Sequence, residues 1–303
     1  MNAVAVIKLD RRWWLALLLA CMSWAIVVPA ADTAASPVAA LQAKYKQLRP
    51  QLANNQFQRA LHLDSTESDR KLKGDVHAVV DYPYASVSNA LKSPRQWCDV
   101  LILHLNIKYC RAVVGNRDPM LNVRLGKKEE QELEDAYLVE FNFHPLAMSP
   151  EYFGITLTAA DGPLGTHDYR ILLEAIPIQG DRTFLHLTYS YSYGLNGRMA
   201  MQAYLATKGS NKVGFTVTGK KANGEPQYIK GVRGVVERNT MRYYLAIDAY
   251  LAALNTPPAE QLGKRLQGWF NAIEQYPRQL HELERKQYLE MKREEYKRQQ
   301  SES

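Results

Sequence analysis

HDYRILLEAIPIQGDRTFLHLTYSYSY, His167–Tyr193, and the later VVERNTMRYYLAIDAYLAAL, Val235–Leu254, are the two stretches whose reading decides the fold. In His167–Ala175, the residues His167, Tyr169, Ile171, Leu173 and Ala175 share one face, and Asp168, Arg170 and Glu174 take the other. In Arg182–Tyr193, Leu185, Leu187, Tyr189, Tyr191 and Tyr193 alternate with His186, Thr188, Ser190 and Ser192. Two is the side-chain period of a strand, so both segments are predicted strands, and Gln179-Gly180-Asp181 is the turn joining them. The period then changes. Val236, Thr240, Tyr243, Ile247, Tyr250 and Leu254 recur at three- and four-residue spacing, with Leu245 and Leu251 widening the stripe. That pattern predicts one long amphipathic helix, stopped by Asn255-Thr256-Pro257-Pro258.

The strand period extends upstream. Tyr137, Val139, Phe141 and Phe143 alternate, as do Phe153, Ile155, Leu157 and Ala159, and Asp161-Gly162-Pro163 with Gly165 supplies a hairpin connection. Further strands are predicted at Ile107–Val114 and Leu121–Leu125, and another where Val76, Ala78, Val80 and Tyr82 alternate before Pro83. Between them lie a helix opened by Ser86 or Ser88, running through Leu91 and broken by Pro94, and a second short helix over Gln96–Leu103. Asp64–Arg70 reads as a polar turn, Glu129–Asp135 as a loop or a turn of helix, and Asn196-Gly197 and Asn223-Gly224 as turns. A helix over Val38–Leu48 is predicted to stop at Pro50. Helices over Glu260–Tyr276 and Arg278–Gln300 follow the long one, the last so rich in charge that it reads as solvated. Consecutive strands with short turns predict an antiparallel meander, not a parallel nucleotide-binding sheet. GxGxxG and Walker loops are absent.

The first residues read as a secretion leader. Lys8, Arg11 and Arg12 form a basic start, Trp13–Val28 is an apolar run too short for a comfortable bilayer span, and Val28-Pro29-Ala30 places cleavage after Ala30 or Ala31. Leu18-Leu19-Ala20-Cys21 resembles a lipobox, and an uncleaved anchor is a third reading. The apolar run continues through Met22–Val28, where a lipidated terminus would meet polar linker, and this favours cleavage. The predicted location is therefore export, to a periplasm-like compartment. Of the formal charge of +7, the leader's three cations against Asp10 supply +2, leaving +5 on the remainder. That surplus is dispersed and suits contact with an anionic lipid surface; with no basic block, nucleic acid is excluded as a partner. Export also assigns Cys98 and Cys110. An even pair in an oxidising compartment is a disulfide candidate, stabilising by about 3 kcal/mol through the unfolded chain; two buried thiols that never meet are the alternative.

Catalytic chemistry finds little purchase. The seven histidines form neither HExxH nor HxH, and no GxSxG elbow holds a serine, so no metal, cofactor or hydrolase is predicted. Glu174 and His186, on neighbouring strands, are the one carboxylate–imidazole pair within reach of acid–base work; with apolar residues on the opposite face, they also read as surface decoration. Arg238 and Arg242, one helical turn apart beside Asn239, could grip an anionic lipid head, since guanidinium matches phosphate geometry, or pair with Glu237 or sheet carboxylates.

This order of elements resembles the START-like, or helix-grip, superfamily (Bet v 1-like) of lipid-transfer and hydrophobic-ligand-binding domains. The matching pieces are Gly74–Tyr82, Ala85–Leu103, the strands within Ile107–Val217, and Val235–Leu254; the helices after Pro258 depart from the family pattern. The resemblance implies an α+β fold, a curved antiparallel sheet gripping a long C-terminal helix, here with additional N- and C-terminal helices. It divides the chain into a leader (1–31), a helical segment (32–56), a ligand-binding domain (57–255) and a helical extension (256–303). It further implies a hydrophobic tunnel between sheet and helix. Tyr169, Tyr189, Tyr191, Tyr193, Tyr243, Tyr244, Ile247 and Tyr250 are then candidates for its lining and Arg238 and Arg242 for its polar end, although a tyrosine stripe is also ordinary core. The expected partner is a hydrophobic small molecule or lipid, with transient membrane-surface contact and a protein partner at the C-terminal helices as further expectations. The rivals are an enzyme using Glu174 and His186, and a structural envelope protein acting through its last helices.

Overall fold

Strands β7 (Thr166–Ile178) and β8 (Arg182–Tyr193) form the predicted hairpin, with Gly180 and Asp181 at φ +80° and +52° making its tight turn. The computed structural model describes residues 36–115, 118–207 and 209–301; the predicted leader, its cleavage site and Cys21 lie outside them. Around the hairpin assemble β1 (Leu61–Ser68), β2 (Lys71–Val80), β3 (Ile107–Val113), β4 (Met120–Leu125), β5 (Tyr137–Met148) and β6 (Phe153–Asp161). The result is one antiparallel eight-stranded sheet in the order β1-β2-β8-β7-β6-β5-β4-β3. Register irregularities between Ile107 and Tyr109, Pro145 and Ala147, and His167 and Arg170 bend it. The last one corrects the predicted alternation: Asp168 takes φ +52°, and His167 falls out of step with the buried row from Tyr169 to Ala175.

Three more local predictions are corrected. Asp64–Arg70 is mostly strand: β1 alternates buried Leu61, Leu63 and Ser65 with outward polar groups, and only Asp69 and Arg70, both left-handed, form the turn into β2. Asn196-Gly197 is no hairpin turn but opens helix α4 (Leu195–Ala206), whose later residues are good helix formers. The first helix, α1 (Pro37–Ala53), runs past Pro50, because the ring deletes a single hydrogen bond in the last turn while Leu48 and Leu52 are buried.

After β2 come α2 (Tyr84–Leu91) and α3 (Pro94–Leu101). Pro94 starts α3, at a helix position needing no N–H, behind a capping box of Ser93 and Gln96. The Cys98–Cys110 disulfide, Cα–Cα 5.2 Å, ties α3 to β3. A small hairpin, β9 (Val217–Lys220) and β10 (Pro226–Tyr228), turns at Asn223-Gly224 as expected, and leads into α5 (Gly231–Ala252).

Helix α5 crosses β1, β2 and β8. Its close approach shows at Gly74 of β2, where any Cβ would lie 2.2 Å from Thr240 Oγ1. The predicted stripe is buried, but so are Glu237, Arg238 and Arg242 on the other side. The reason is tertiary: α6 (Pro258–Ile273), α7 (Pro277–Leu280) and the segment from Val213 to Thr216 cover the face that the sequence left polar, and α8 (Arg285–Ser301) packs on α6 and β3. Trp269 of α6 and Tyr288 of α8 stack at 4.9 Å within the main core. Helix α8 is therefore a packed element. Its Lys292 and Glu295 meet Lys108 of β3 in a buried group, with Lys108 Nζ 3.1 Å and Lys292 Nζ 2.7 Å from the carboxylate. On the sheet's other face, α1 covers a separate cluster of Leu41, Leu48, Leu52, Tyr152, Ile176 and Phe184. Residues 36–301 thus form one compact unit.

Candidate ligand-binding site

Beside the middle of α5, a cleft of about 410 Å³ opens between the helix and the sheet. Tyr169 of β7, Tyr189 of β8 and Tyr243 of α5 wall it, with Leu125 and Gly126 after β4, Tyr137 at the start of β5 and Leu164 in the Pro163–Gly165 turn. At ~30 Å³ per water- or methylene-sized group this is room for roughly a dozen heavy atoms.

Of the residues singled out beforehand, the structure brings Tyr169, Tyr189 and Tyr243 to this wall and takes the others elsewhere. Tyr191 stacks on Tyr169 at 5.3 Å and reaches Met201 with its hydroxyl, and Tyr193 donates to Glu67 at 3.1 Å. Ile247 and Tyr244 lie in the core, and Tyr250 lies under the Arg265 guanidinium at 4.3 Å. Aromatic packing therefore fills much of the space that the resemblance assigned to a tunnel: Tyr169, Tyr189, Tyr191 and Tyr243 touch one another ring to ring. Arg238 and Arg242 are not at a mouth. Both are buried, Arg238 donating to the Val213 carbonyl (3.3 Å), Arg242 to Glu282 (2.8 Å) and to Asn239 Oδ1 (3.3 Å). Glu237, the expected partner, instead accepts from Ser65, from Thr216 and from the Phe215 N–H.

Polar groups enter the cleft wall at His104 and Asn239, with Lys127 and Asp135 at its exposed rim. His104 sits in the turn between α3 and β3, buried, its ring stacked on Tyr243 at 4.7 Å. Burial first, and then the positive field of Arg242, Lys292, Lys128 and Lys108, hold its pKa far below the ordinary histidine value, so the ring is neutral. Burial and Arg242 also pull Lys128 down to about 8. Sequence periodicity had no means of marking His104 or Asn239: one is a lone histidine in a turn, the other a polar residue on a helix.

Glu174 and His186 do meet, but on the sheet face opposite α5. His186 Nδ1 is 3.0 Å from Glu174 and Nε2 is 2.9 Å from Asp75, while Tyr152 donates to Glu174 (2.6 Å) and Thr188 to Asp75 (2.6 Å). His77 stacks flat on His186 at 4.3 Å. Burial alone would lower the His186 pKa; the bonds to Asp75 and Glu174 outweigh it and raise it. The same bonds overcome burial to hold both carboxyls below the carboxylate range. Burial pushes His77 down to about 3. The group is an ionic network under partial cover, with Glu174 and His186 side chains each 16% exposed and the buried Nδ1 of His77 without a partner, and it has no part in the cleft. Among the described residues, no group of three or more His, Cys, Asp or Glu is arranged to hold a metal, and no helix is long and apolar enough to cross a membrane.

No family model matches the chain, and no curated protein matches it in sequence. Solved structures do. Norcoclaurine synthase from Thalictrum flavum is 11% identical, over 46% of this chain and 82% of that one, with a TM-score of 0.32. Human StAR-related lipid transfer protein 5 is 9% identical, over 56% and 87%, with a TM-score of 0.32. Ara h 8.0201 is 12% identical, over 49% and 91%, with a TM-score of 0.29. The assignment rests on the chain's own topology: a first strand, two short helices, a meander that returns to pair β8 with β2, and a long helix laid across the sheet. By that arrangement the chain has the START-like, helix-grip fold, with β1, the α4 to β10 segment and the outer helices added to it.

Proposed function

We propose that this protein binds a small hydrophobic molecule, a single-chain lipid or a compact polycycle, between α5 and the sheet. The observation that carries this reading is the 410 Å³ cleft walled by Tyr169, Tyr189 and Tyr243. Tyrosine rings offer apolar contact while their hydroxyls orient a polar end. Ten buried methylenes at ~0.8 kcal/mol each supply at most about 8 kcal/mol, so burial alone reaches roughly micromolar affinity.

The rim supports contact with a lipid surface as the route of entry. Leu164, Leu195 and Met199 are 57%, 67% and 60% exposed, and α4 packs its first turn on the Pro163–Gly165 turn beside the cleft. Export is part of the proposal: the Cys98–Cys110 bond suits an oxidising compartment.

The test is titration of delipidated protein with dodecanol, read by displacement of an anilinonaphthalene dye. Filling the cleft with Leu125→Trp should weaken binding at least tenfold while leaving the unfolding midpoint close to wild type. Dye and dodecanol binding that ignores this substitution would place the ligand elsewhere and end the reading.

A further inference from the structure

We infer that His104 marks a headgroup subsite, and that the ligand is a single-chain amphiphile carrying an anionic oxygen, a carboxylate or a phosphate, bonded to His104 Nε2–H. The inference rests on the cleft being the binding site. The tautomer follows from one contact: the Asn106 N–H donates to Nδ1 at 3.1 Å, so in the neutral ring the proton is on Nε2. That nitrogen is buried and has no hydrogen-bond partner, while its residue forms part of the cleft wall. A buried donor left unmade is costly, and an oxygen acceptor in the cleft would remove that cost.

The surroundings favour a negative acceptor. Lys128, Lys212 and Arg242 all pair with Glu282, and Lys108 and Lys292 share Glu295. Of these cations Arg242, Lys292, Lys128 and Lys108 all act on His104. Arg242 donates to Asn239 Oδ1, so the amide oxygen of that cleft residue is already engaged with a cation. Asp135, also on the wall, is exposed at the rim, so it opposes a deep anion only weakly.

The experiment compares dodecanoate, dodecyl phosphate and dodecanol by calorimetry on delipidated full-length protein. A charge-assisted bond to a buried donor should favour at least one anionic head over the alcohol by about tenfold to a hundredfold; which anion gains more identifies the source. His104→Phe keeps a ring against Tyr243 and should abolish that preference, bringing the anions down to the affinity the same variant shows for dodecanol. His104→Gln, which restores a donor, should recover part of it. On unaltered protein, the Nε2–H proton resonance should move further downfield with the preferred anion than with dodecanol. Equal affinity for anions and alcohol, or a preference that survives His104→Phe, overturns the subsite and leaves the cleft reading intact. Failure of all three to bind overturns both.

Discussion

Single side chains carry the strongest energetic consequences where charge is buried. Lys108 and Lys292 are fully buried around Glu295, and burial pulls the Lys292 pKa down to about 8 against the attraction of that carboxylate. Glu295→Ala would strand two ammonium groups without an anion, and urea denaturation should show a loss of about 3–5 kcal/mol. A loss under 1 kcal/mol would mean that water reaches the group. His77 sets a pH dependence with a definite sign. Its folded pKa of about 3 lies below the unfolded value near 6.5, so the unfolded chain binds the extra proton between them. Stability from this residue is full above pH 6.5 and drains as pH falls toward 3. The neighbouring carboxyls Asp75 and Glu174, held low, add to the loss below the ordinary carboxylate pKa, while His186, held high, contributes stability that is present in acid and lost as pH rises through its folded value. His77→Phe should flatten the midpoint-versus-pH curve between pH 6.5 and 4, and an unchanged slope would assign the acid lability elsewhere. None of this was visible in the residue types, since a histidine on an outward strand face reads the same whether or not a helix covers it.

Among the elements, α8 departs furthest from its sequence reading. A segment just over half charged, with sparse apolar positions, looks solvated, yet Tyr288, Met291, Lys292, Glu295 and Gln299 are all buried. Tyr288 donates to the Leu103 carbonyl at 2.9 Å and Gln299 accepts from the Cys110 N–H at 3.1 Å, so the helix completes hydrogen bonding at the α3 to β3 corner. Removing Arg285–Ser303 should therefore lower the thermal midpoint by at least 10 °C, several kcal/mol at roughly 2–4 °C per kcal/mol for a chain of this size. A truncated chain that melts like the full one would restore the view of a free docking arm. Strands were legible because one face of each is apolar; β1 was not, because its inward Ser65 is made compatible with burial only by Arg233 and Glu237, far away in sequence. Helix α5 was legible as a helix but not as one buried on every side, since hydropathy records only the apolar half of its contacts.

For the whole molecule, the cleft predicts linkage. A ligand bound only by the folded chain adds about 2.7 kcal/mol at a hundredfold excess over its Kd, so dodecanol or its preferred anionic relative should raise the midpoint by several degrees. The increase should vanish in Leu125→Trp; an equal increase there would point to non-specific surface binding. The alternating strands, their turn residues, the long helix and its order after the meander were determined by sequence, because period and turn chemistry are local properties of the chain. The pairing of Cys98 with Cys110 was one of two readings that sequence allowed, and the tertiary structure makes the bond. Tertiary structure alone decided which tyrosines pack on one another and which face open space, that Arg238 and Arg242 turn inward to carbonyls and Glu282, and that an unremarked His104 stands at the cleft with a donor unspent. Those outcomes depend on which residues from distant segments arrive at the same point, and on the volume left when they do, quantities that no local pattern encodes.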